Sequence, residues 1–526
     1  MSRSLLVAGW GELPEAMSKL ASALGGVSSV ESALSFFPGE FSGSEKLPLT
    51  SVVENLAAKL RSFGSQPVSI VGWSLGGMLA LELAEVYPEL VAEMIVLSPT
   101  ASFVNREPEE NLGPWEFGVE LDSLDNFQEN VEQDSERVLL GTYRSAGHKE
   151  ESAYARAVIE NFQNRFGVGL EYLRHTDIRS RLSRITVPTI VFHGIKDRTI
   201  PWEAGCAVAE SIPGAIFCPL PGFGHALPKT AFEQIARAVK LWRDIRSGSG
   251  REVTRCLSYE SEAVPQASIA QELVSMLPDR FVPKSFIDLG CGTGKLGRLV
   301  QEKYPQVRSL FVDSDLSALS YLSVNTSFQL SSSSIVCSDA HEFAVAKEVD
   351  LVVSASALQW MDNYRGLFSS LLPVVSSSGL LAFSLMIDGS LSGLRELRSE
   401  LFPAKMPTRS FPTAEQVLIA AKDSDLEILE VKTGVVSEYF EGAIQAFSWL
   451  SRLGFNRSNY GKASMVVPAE SDAQNNRGSF AGEVSKRLSR KELAVLSEHY
   501  NSRYSDPRGC PLEFCVLWFI AAKTAP

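Results

Sequence analysis

Residues 68–86 leave the chain little choice of local structure. The apolar run Val68-Ser69-Ile70-Val71 enters Gly72-Trp73-Ser74-Leu75-Gly76-Gly77 and continues into a stretch of helical period from Met78 to Val86. That reads as a strand, a sharp turn and a helix with Ser74 at the apex, the G-x-S-x-G elbow that lifts a hydroxyl clear of a sheet end. A strand followed at once by a helix belongs in a mostly parallel sheet with helices on its faces. Far downstream, Phe286-Ile287-Asp288-Leu289 enters Gly290-Cys291-Gly292-Thr293-Gly294, a second strand–turn–helix junction built on glycines instead of serine. The turn chemistries differ, so the two junctions are not copies of a repeat, and each calls for its own sheet.

A length of 526 residues suits two cores, because single cores stop growing near 250–300 residues. Before residue 245, strand-like runs at Ser4–Ala8, Val68–Val71, Met94–Leu97, Pro188–Phe192 and Ala215–Pro219 alternate with helical stretches. The run Arg246-Ser247-Gly248-Ser249-Gly250-Arg251 is small, flexible and without apolar period, a linker composition. Beyond it the rhythm restarts with Phe286–Leu289, Ser309–Asp313, Ile335–Cys337, Asp350–Ser354 and Leu380–Ser384. Between about 102 and 180 the strand runs give way to charged, helix-periodic sequence, which predicts a helical cap. The polar stretch Ser471–Ser479 predicts a loop.

The net charge of −13 argues against an electrostatic grip on nucleic acid or an anionic membrane. Seven cysteines, odd in number and without a C-x-x-C pair, indicate neither a disulfide framework nor a thiolate metal site. The N-terminal apolar run is too short for a secretory signal, and no apolar run reaches 18 residues. The expectation is a cytoplasmic protein that binds no metal, acts on a small or protein-borne substrate, and has an oligomeric state the sequence leaves open.

A serine hydroxyl needs a general base within hydrogen-bond reach, and that base needs a carboxylate to orient it. Asp197, in His193-Gly194-Ile195-Lys196-Asp197, follows one strand-like run; His225, in Pro221-Gly222-Phe223-Gly224-His225, follows the next. The order Ser74, Asp197, His225 is that of the α/β-hydrolase fold. His148, His175 and His193 compete for the base, but none sits in a comparable turn. The oxyanion of acyl transfer needs backbone donors, and Leu75, next to the nucleophile, and Trp10, in Gly9-Trp10-Gly11 after the first strand, are placed to supply them.

Gly9-Trp10-Gly11, Gly72 to Gly77, Gly169-Leu170-Glu171-Tyr172-Leu173, Thr176-Asp177-Ile178-Arg179 and the turns of Asp197 and His225 together resemble the biotin-pathway esterases that hydrolyse pimeloyl-[acyl-carrier protein] methyl ester. The resemblance spans about residues 4 to 245. It implies a cap that meets an acidic carrier protein with basic residues. Here the cap carries Glu129, Glu132, Asp134 and Glu136, which leaves Arg144, Lys149, Arg156 and Arg165 as candidates.

In the second half the glycines let the backbone turn sharply and approach a ligand. Gly292 to Gly297 also fits G-x-G-x-x-G, a weak sign of a dinucleotide by itself. Asp288 at the strand end, Asp313-Ser314-Asp315-Leu316 after the second strand and Asp339-Ala340 after the third favour S-adenosylmethionine as the cofactor. By resemblance to class I methyltransferases, Gly290, Gly292, Gly294, Leu316, Ala340 and Ser354 line its site, Asp315 meets the ribose hydroxyls with Asp313 as the alternative, and Asp339 meets the adenine amino group.

Ser354-Ala355-Ser356-Ala357-Leu358-Gln359-Trp360, Gly389 to Leu397, Glu438-Tyr439-Phe440 and Ser448 to Gly454 resemble the malonyl-[acyl-carrier protein] O-methyltransferases. Tyr259 and Gln266 match that family's N-terminal helix, and the match runs from about 252 to 523. It implies Tyr259, Gln359 and Trp360 as acceptor-site candidates; Arg395 reads as a solvated helix face. A carboxylate acceptor is ionised at neutral pH, its pKa lying near 4, so alignment and not a general base is what the site must supply.

The expected class is therefore α/β with two domains: an N-terminal α/β-hydrolase with helical cap (1–245), a linker (246–251) and a C-terminal class I, Rossmann-like methyltransferase (252–526). The two resemblances imply a bifunctional enzyme of biotin synthesis. It would methylate the free carboxylate of malonyl-[acyl-carrier protein] or malonyl-coenzyme A and hydrolyse the methyl ester of the pimeloyl thioester. A general carboxylesterase fused to a small-molecule methyltransferase stays open as the alternative.

Overall fold

The structure is a computed structural model that describes residues 3–38, 49–109, 112–324, 333–340, 348–406, 410–453 and 488–524. The loop expected at Ser471–Ser479 lies outside these residues. The chain packs as two compact units that part between Arg243 and Asp244, a later segment ending at Cys337 going with the first.

The first unit is built on β1 (Ser4–Ala8), β2 (Val27–Ser32), β3 (Val68–Trp73), β4 (Val91–Leu97), β5 (Thr189–Gly194) and β6 (Ile216–Leu220), in the order β2-β1-β3-β4-β5-β6 and all parallel. Every residue of β1, β3 and β5 is buried, which is why these strands are near-continuous apolar runs. The strand order reverses at β1 and β3, and the crevice beyond their C-terminal ends is where such sheets bind ligands. The elbow helix α1 (Leu75–Val86) follows β3. Between β4 and β5 the chain forms α2 (Leu121–Gln133), α3 (Ser135–Ser145) and α4 (Ser152–His175). Their buried faces include Leu124, Leu139, Tyr143, Phe162 and Phe166. Helix α5 (Trp202–Ser211) joins β5 to β6. The sequence reading did not include β2, an edge strand whose serines and half-exposed positions carry no strong apolar signal.

The second unit opens with α6 (Arg251–Glu262) and α7 (Val264–Met276), four residues beyond the end of the preceding helix at Arg246. Its strands are β7 (Ser285–Leu289), β8 (Arg308–Asp313), β10 (Val349–Ala355), β11 (Val375–Met386), β12 (Leu426–Phe440) and β13 (Cys510–Lys523); β9 (Ser333–Cys337) belongs to the segment that packs with the first unit. They run β8-β7-β10-β11-β13-β12, the first four parallel and β13 antiparallel to both its neighbours. Here the order reverses at β7 and β10, between the glycine turn and the Ser354–Trp360 segment. The sequence reading missed β12 and β13.

Candidate active sites

At the elbow, Ser74 has φ 55° and ψ −119°, a conformation costly for a residue with a side chain. Two glycines permit it. A Cβ at Gly72 would meet Gly76 O at 2.4 Å, and one at Gly76 would meet Val7 O at 2.3 Å. The Ser74 amide donates to Leu97 O (2.9 Å), and its carbonyl accepts from Gly77 and Met78, so the turn is tied to the sheet and starts the helix. Leu75 opens α1, where the first amides have no partner within the helix. Gly9 lies against the nucleophile: a Cβ there would stand 3.8 Å from Ser74 Oγ. The next residue, Trp10, packs its ring on Phe127 and Phe166 of the helical insert and donates Nε1–H to Phe166 O at 3.3 Å. Its side chain is thus a wall of the site, while its backbone continues the turn beside Ser74.

His225 reaches the same crevice from the turn after β6. Its carbonyl accepts from the Trp73 indole at 2.9 Å, which holds the histidine turn against the elbow. Its Nδ1 lies 2.7 Å from Asp197 Oδ2, a pairing that leaves Nε2 for the serine side. The other oxygen of Asp197 accepts the amides of Thr199 (2.8 Å) and Ile200 (3.0 Å). Burial pushes this carboxyl up; the charge of His225 and the hydrogen bonds of His193 and His225 outweigh burial and hold it far below the ordinary carboxylate range. The three triad candidates thus stand beyond the C-terminal ends of β3, β5 and β6.

A second polar group abuts this site and escaped the sequence reading. Glu12, just past the Trp10 turn, is 4 % exposed. It accepts from Tyr154 of α4 at 2.8 Å and from Lys229 at 3.0 Å, and His148 Nε2 lies 3.3 Å away. Tyr154 also accepts the Leu13 amide (3.1 Å), and Lys229 reaches Glu150 at 2.8 Å. These bonds tie the Trp10 turn, the helical insert and the segment after His225 together. No local spacing signals a group drawn from such distant parts of the chain.

In the second unit, Gly290, Gly292 and Gly294 have φ of 71°, 54° and 84°, left-handed values that suit glycine. Nothing lies within 4 Å of a Cβ built at Gly292, so the turn leaves open space there. Asp313 secures the turn, accepting the Gly292 amide at 2.7 Å and the Asp315 amide at 2.8 Å. Burial and the nearby Asp315 push it up to about 6. Asp313 is thus enclosed, whereas the Asp315 side chain is 30% exposed. Asp315 Oδ1 caps the helix Leu316–Val324 through Ser317 N, and Oδ2 accepts from Arg255 of α6 at 2.5 Å. Leu316, which opens that helix, is buried. Asp288 accepts the Gly297 amide on Oδ2 at 2.8 Å, while its buried Oδ1 has no partner. Burial is the main cause that pushes this carboxyl up to about 8.

Ser338 N donates to Asp313 O at 3.0 Å, which brings Asp339 and Ala340 beside the end of β8. Ser354 donates its hydroxyl hydrogen to Leu289 O at 2.6 Å. Gln359 is 3 % exposed and bonds Ser356 O through Nε2, leaving Oε1 without a partner, as is Gln266 Oε1. Trp360 closes the same short turn, Leu358–Trp360. Tyr259 lies on α6 with Lys295 Nζ 5.9 Å from its ring centre. Glu260, next to it, accepts from Thr293 at 2.8 Å and Arg298 at 2.6 Å, fastening α6 to the glycine turn. The unpartnered Asp288 oxygen, the open space at Gly292 and the part-exposed carboxylate of Asp315 fit a ligand bearing N–H and O–H donors, as a nucleoside with an amino acid would. Among the described residues no His, Cys, Asp and Glu group is arranged to hold a metal ion, and no helix is long and apolar enough to cross a membrane.

Comparison with known proteins matches the two parts of the chain to different families. The alpha/beta hydrolase fold matches residues 39–231, and a methyltransferase small domain matches residues 267–356. The chain is 22% identical over 508 residues to the biotin biosynthesis bifunctional protein BioHC of Teredinibacter turnerae, covering 90% of this chain and 84% of that one. It is 31% identical over 192 residues to the pimeloyl-[acyl-carrier protein] methyl ester esterase of Xylella fastidiosa, covering 34% of this chain and 70% of that protein. With the malonyl-[acyl-carrier protein] O-methyltransferase of Acetivibrio thermocellus it shares 28% identity over 218 residues, 38% of this chain and 75% of the relative.

Proposed function

The chain belongs to the pimeloyl-[acyl-carrier protein] methyl ester esterase family and continues into a methyltransferase, as the bifunctional proteins of biotin synthesis do. From this we propose that its first unit hydrolyses the methyl ester of a pimeloyl thioester and its second methylates the free carboxylate of a malonyl thioester, each borne by an acyl-carrier protein. The observation that carries the esterase assignment is the Asp197–His225 pair, 2.7 Å apart and fastened to the strained Ser74 turn through Trp73.

In the first unit His225 takes the Ser74 proton as the serine oxygen attacks the ester carbonyl, and Asp197 holds the imidazole in the tautomer that can accept it. The Leu75 and Trp10 amides stabilise the developing oxyanion. The imidazolium then returns its proton to the departing methoxide, and water, deprotonated by the same histidine, frees the acyl chain from Ser74. The products are methanol and a carboxylate.

In the second unit the residues fit S-adenosylmethionine, which supplies a methyl group made electrophilic by its sulfonium. Asp315 would hold the ribose hydroxyls, Asp339 the adenine amino group, and the Gly290–Gly294 turn with Asp288 the amino-acid end. Leu316, Ala340 and Ser354 would pack against the same ligand. Tyr259, Gln359 and Trp360 would surround the acceptor, whose carboxylate is ionised before it arrives and needs no base. Masking that charge allows an acid to be elongated by enzymes with apolar channels, since burying an unpaired charge is very costly. The esterase removes the mask afterwards. This chemistry suits the cytoplasm.

Mass spectrometry of purified protein given S-adenosylmethionine with malonyl-carrier protein, and separately the pimeloyl methyl ester, tests both halves. Methylation lost only in Asp315→Ala and hydrolysis lost only in Ser74→Ala is the expected result. Turnover of neither acyl substrate by the unmodified chain overturns the assignment.

A further inference from the structure

His193 ends up inside the triad without being part of its proton path. It lies on β5, wholly buried, four residues before Asp197. Its Nε2 is 3.1 Å from Asp197 Oδ2 and 3.0 Å from Ile200 O. Both partners are acceptors, so Nε2 carries the hydrogen. The other ring nitrogen, Nδ1, is buried with no partner and faces α5 at Gly205, where a Cβ would stand 2.2 Å from it. A proton on Nδ1 would be a buried donor without an acceptor, which costs too much to persist. The ring is held in one orientation, locked from behind by a helix that can approach only because residue 205 has no side chain.

The oxygen that His193 holds is the one that holds His225. Asp197 Oδ2 takes two imidazole N–H groups, at 2.7 Å from His225 and 3.1 Å from His193, while Oδ1 is committed to the amides of Thr199 and Ile200. Ile200 serves both sides, its amide on Oδ1 and its carbonyl on His193. A histidine that only filled the core could bond any carbonyl; this one bonds the acceptor on which the orientation of His225 depends.

Resting on the serine-esterase reading above, we propose that His193 is a positioning residue of that reaction. Its Nε2–H fixes Asp197 Oδ2 in line with His225 Nδ1 and shares that oxygen's charge, moderating how strongly the carboxylate pulls on the catalytic imidazole. The titratable groups acting on Asp197 are the two histidines. Helix α5, behind His193, carries Glu203, Cys206 and Glu210, of which Cys206 bonds Glu210 at 3.6 Å. The sign of the effect follows. Without the His193 hydrogen the charge on Oδ2 is undivided, protonated His225 is favoured, and the acid limb of kcat/KM, which reports the free enzyme's base, moves to higher pH.

The test uses the full chain, a methyl ester of a pimeloyl thioester, and pH profiles for His193→Leu and His193→Gln. Leucine removes the donor; glutamine keeps an N–H that can reach Asp197. His193→Leu should lose about tenfold in kcat, the size of one orienting hydrogen bond. KM should stay within about twofold, and the acid limb should move up by about half a pH unit or more. His193→Gln should recover most of both. Equal losses in the two variants with an unmoved acid limb would show a purely structural residue and overturn the proposal, as would wild-type kinetics in His193→Leu. If the leucine variant does not fold, Gly205→Ala, which displaces the ring from behind, should give the same kcat loss and limb shift, and an unmoved limb in folded Gly205→Ala overturns the proposal. Ser74→Ala runs alongside: hydrolysis surviving in that variant removes the esterase reading itself, whereas hydrolysis lost there but insensitive to residue 193 removes only the role of His193.

Discussion

Asp197 and Asp288 are both buried aspartates at the C-terminal ends of parallel strands, and they are held in opposite states. Asp197 receives four donors, two amides and two imidazoles, and stays ionised despite burial. Asp288 receives one amide, keeps an unpartnered oxygen, and is pushed up to about 8, chiefly by burial. Burial is common to both, so the neighbouring charge and the supply of donors decide the difference. In the reading proposed above the difference matches the two chemistries: the ester site would react with side chains of its own, whereas the methyl-transfer site would be built around a molecule the chain does not encode, with the open valence of Asp288 turned to it.

Replacing each aspartate by asparagine breaks the comparison most directly. Asp197→Asn should lower kcat for the ester by about 10⁴-fold, because an amide at that position favours the wrong tautomer of His225; steady-state kinetics on the methyl ester checks it. The same change at Asp288 should act on stability and in a pH-dependent way. A carboxyl held up to about 8 when folded, against an ordinary value of 3.8, keeps its proton over the range where the unfolded chain has released it. Ligand-free stability from this group is full below about pH 4 and is lost as pH rises toward 8. Asp288→Asn lacks that loss, so its melting temperature should gain on the wild type steadily from pH 5 to pH 8.5. A constant difference between the two melting curves across that range would show that Asp288 titrates normally. The smallest effect is expected at Tyr154→Phe, which removes one bond to Glu12 and leaves the Leu13 amide unsatisfied. It should cost about 1–2 kcal/mol by denaturant unfolding, with kcat reduced only severalfold.

The elements legible in the sequence were those whose signal is local. The elbow at Ser74, the glycine turn at Gly290 and the buried strands announce themselves through period and turn residues, and the structure forms them within a few residues of the expected bounds. Strand β13 has an equally apolar run from Phe514 to Ala522, but its antiparallel place between β11 and β12 depends on pairing across long stretches of chain. Strand β12 is harder still, since its outer positions are largely exposed and mixed in character. The same split holds at the sites. Ser74, Asp197 and His225 follow from strand-end turns, and the turn after the second strand alone favours Asp315 over Asp313; the structure adds that both Asp313 oxygens accept backbone amides. His193 was in plain view beside Asp197, yet nothing in H-G-x-x-D says that its ring turns back onto the carboxylate. That follows from the approach of α5 at Gly205.

The contact of Gly169 with Trp10 reaches beyond this one chain. A Cβ at position 169 would stand 2.9 Å from the Trp10 ring, so the α4 surface facing the site is pared to backbone where the indole lies. The insert and the turn that carries Trp10 are therefore matched parts. Grafting α2 to α4 from another hydrolase would preserve activity only if the donor offered a glycine at this register, since Leu34 stands as close to the added Cβ as the indole does. Among natural variants, positions 10 and 169 should change together.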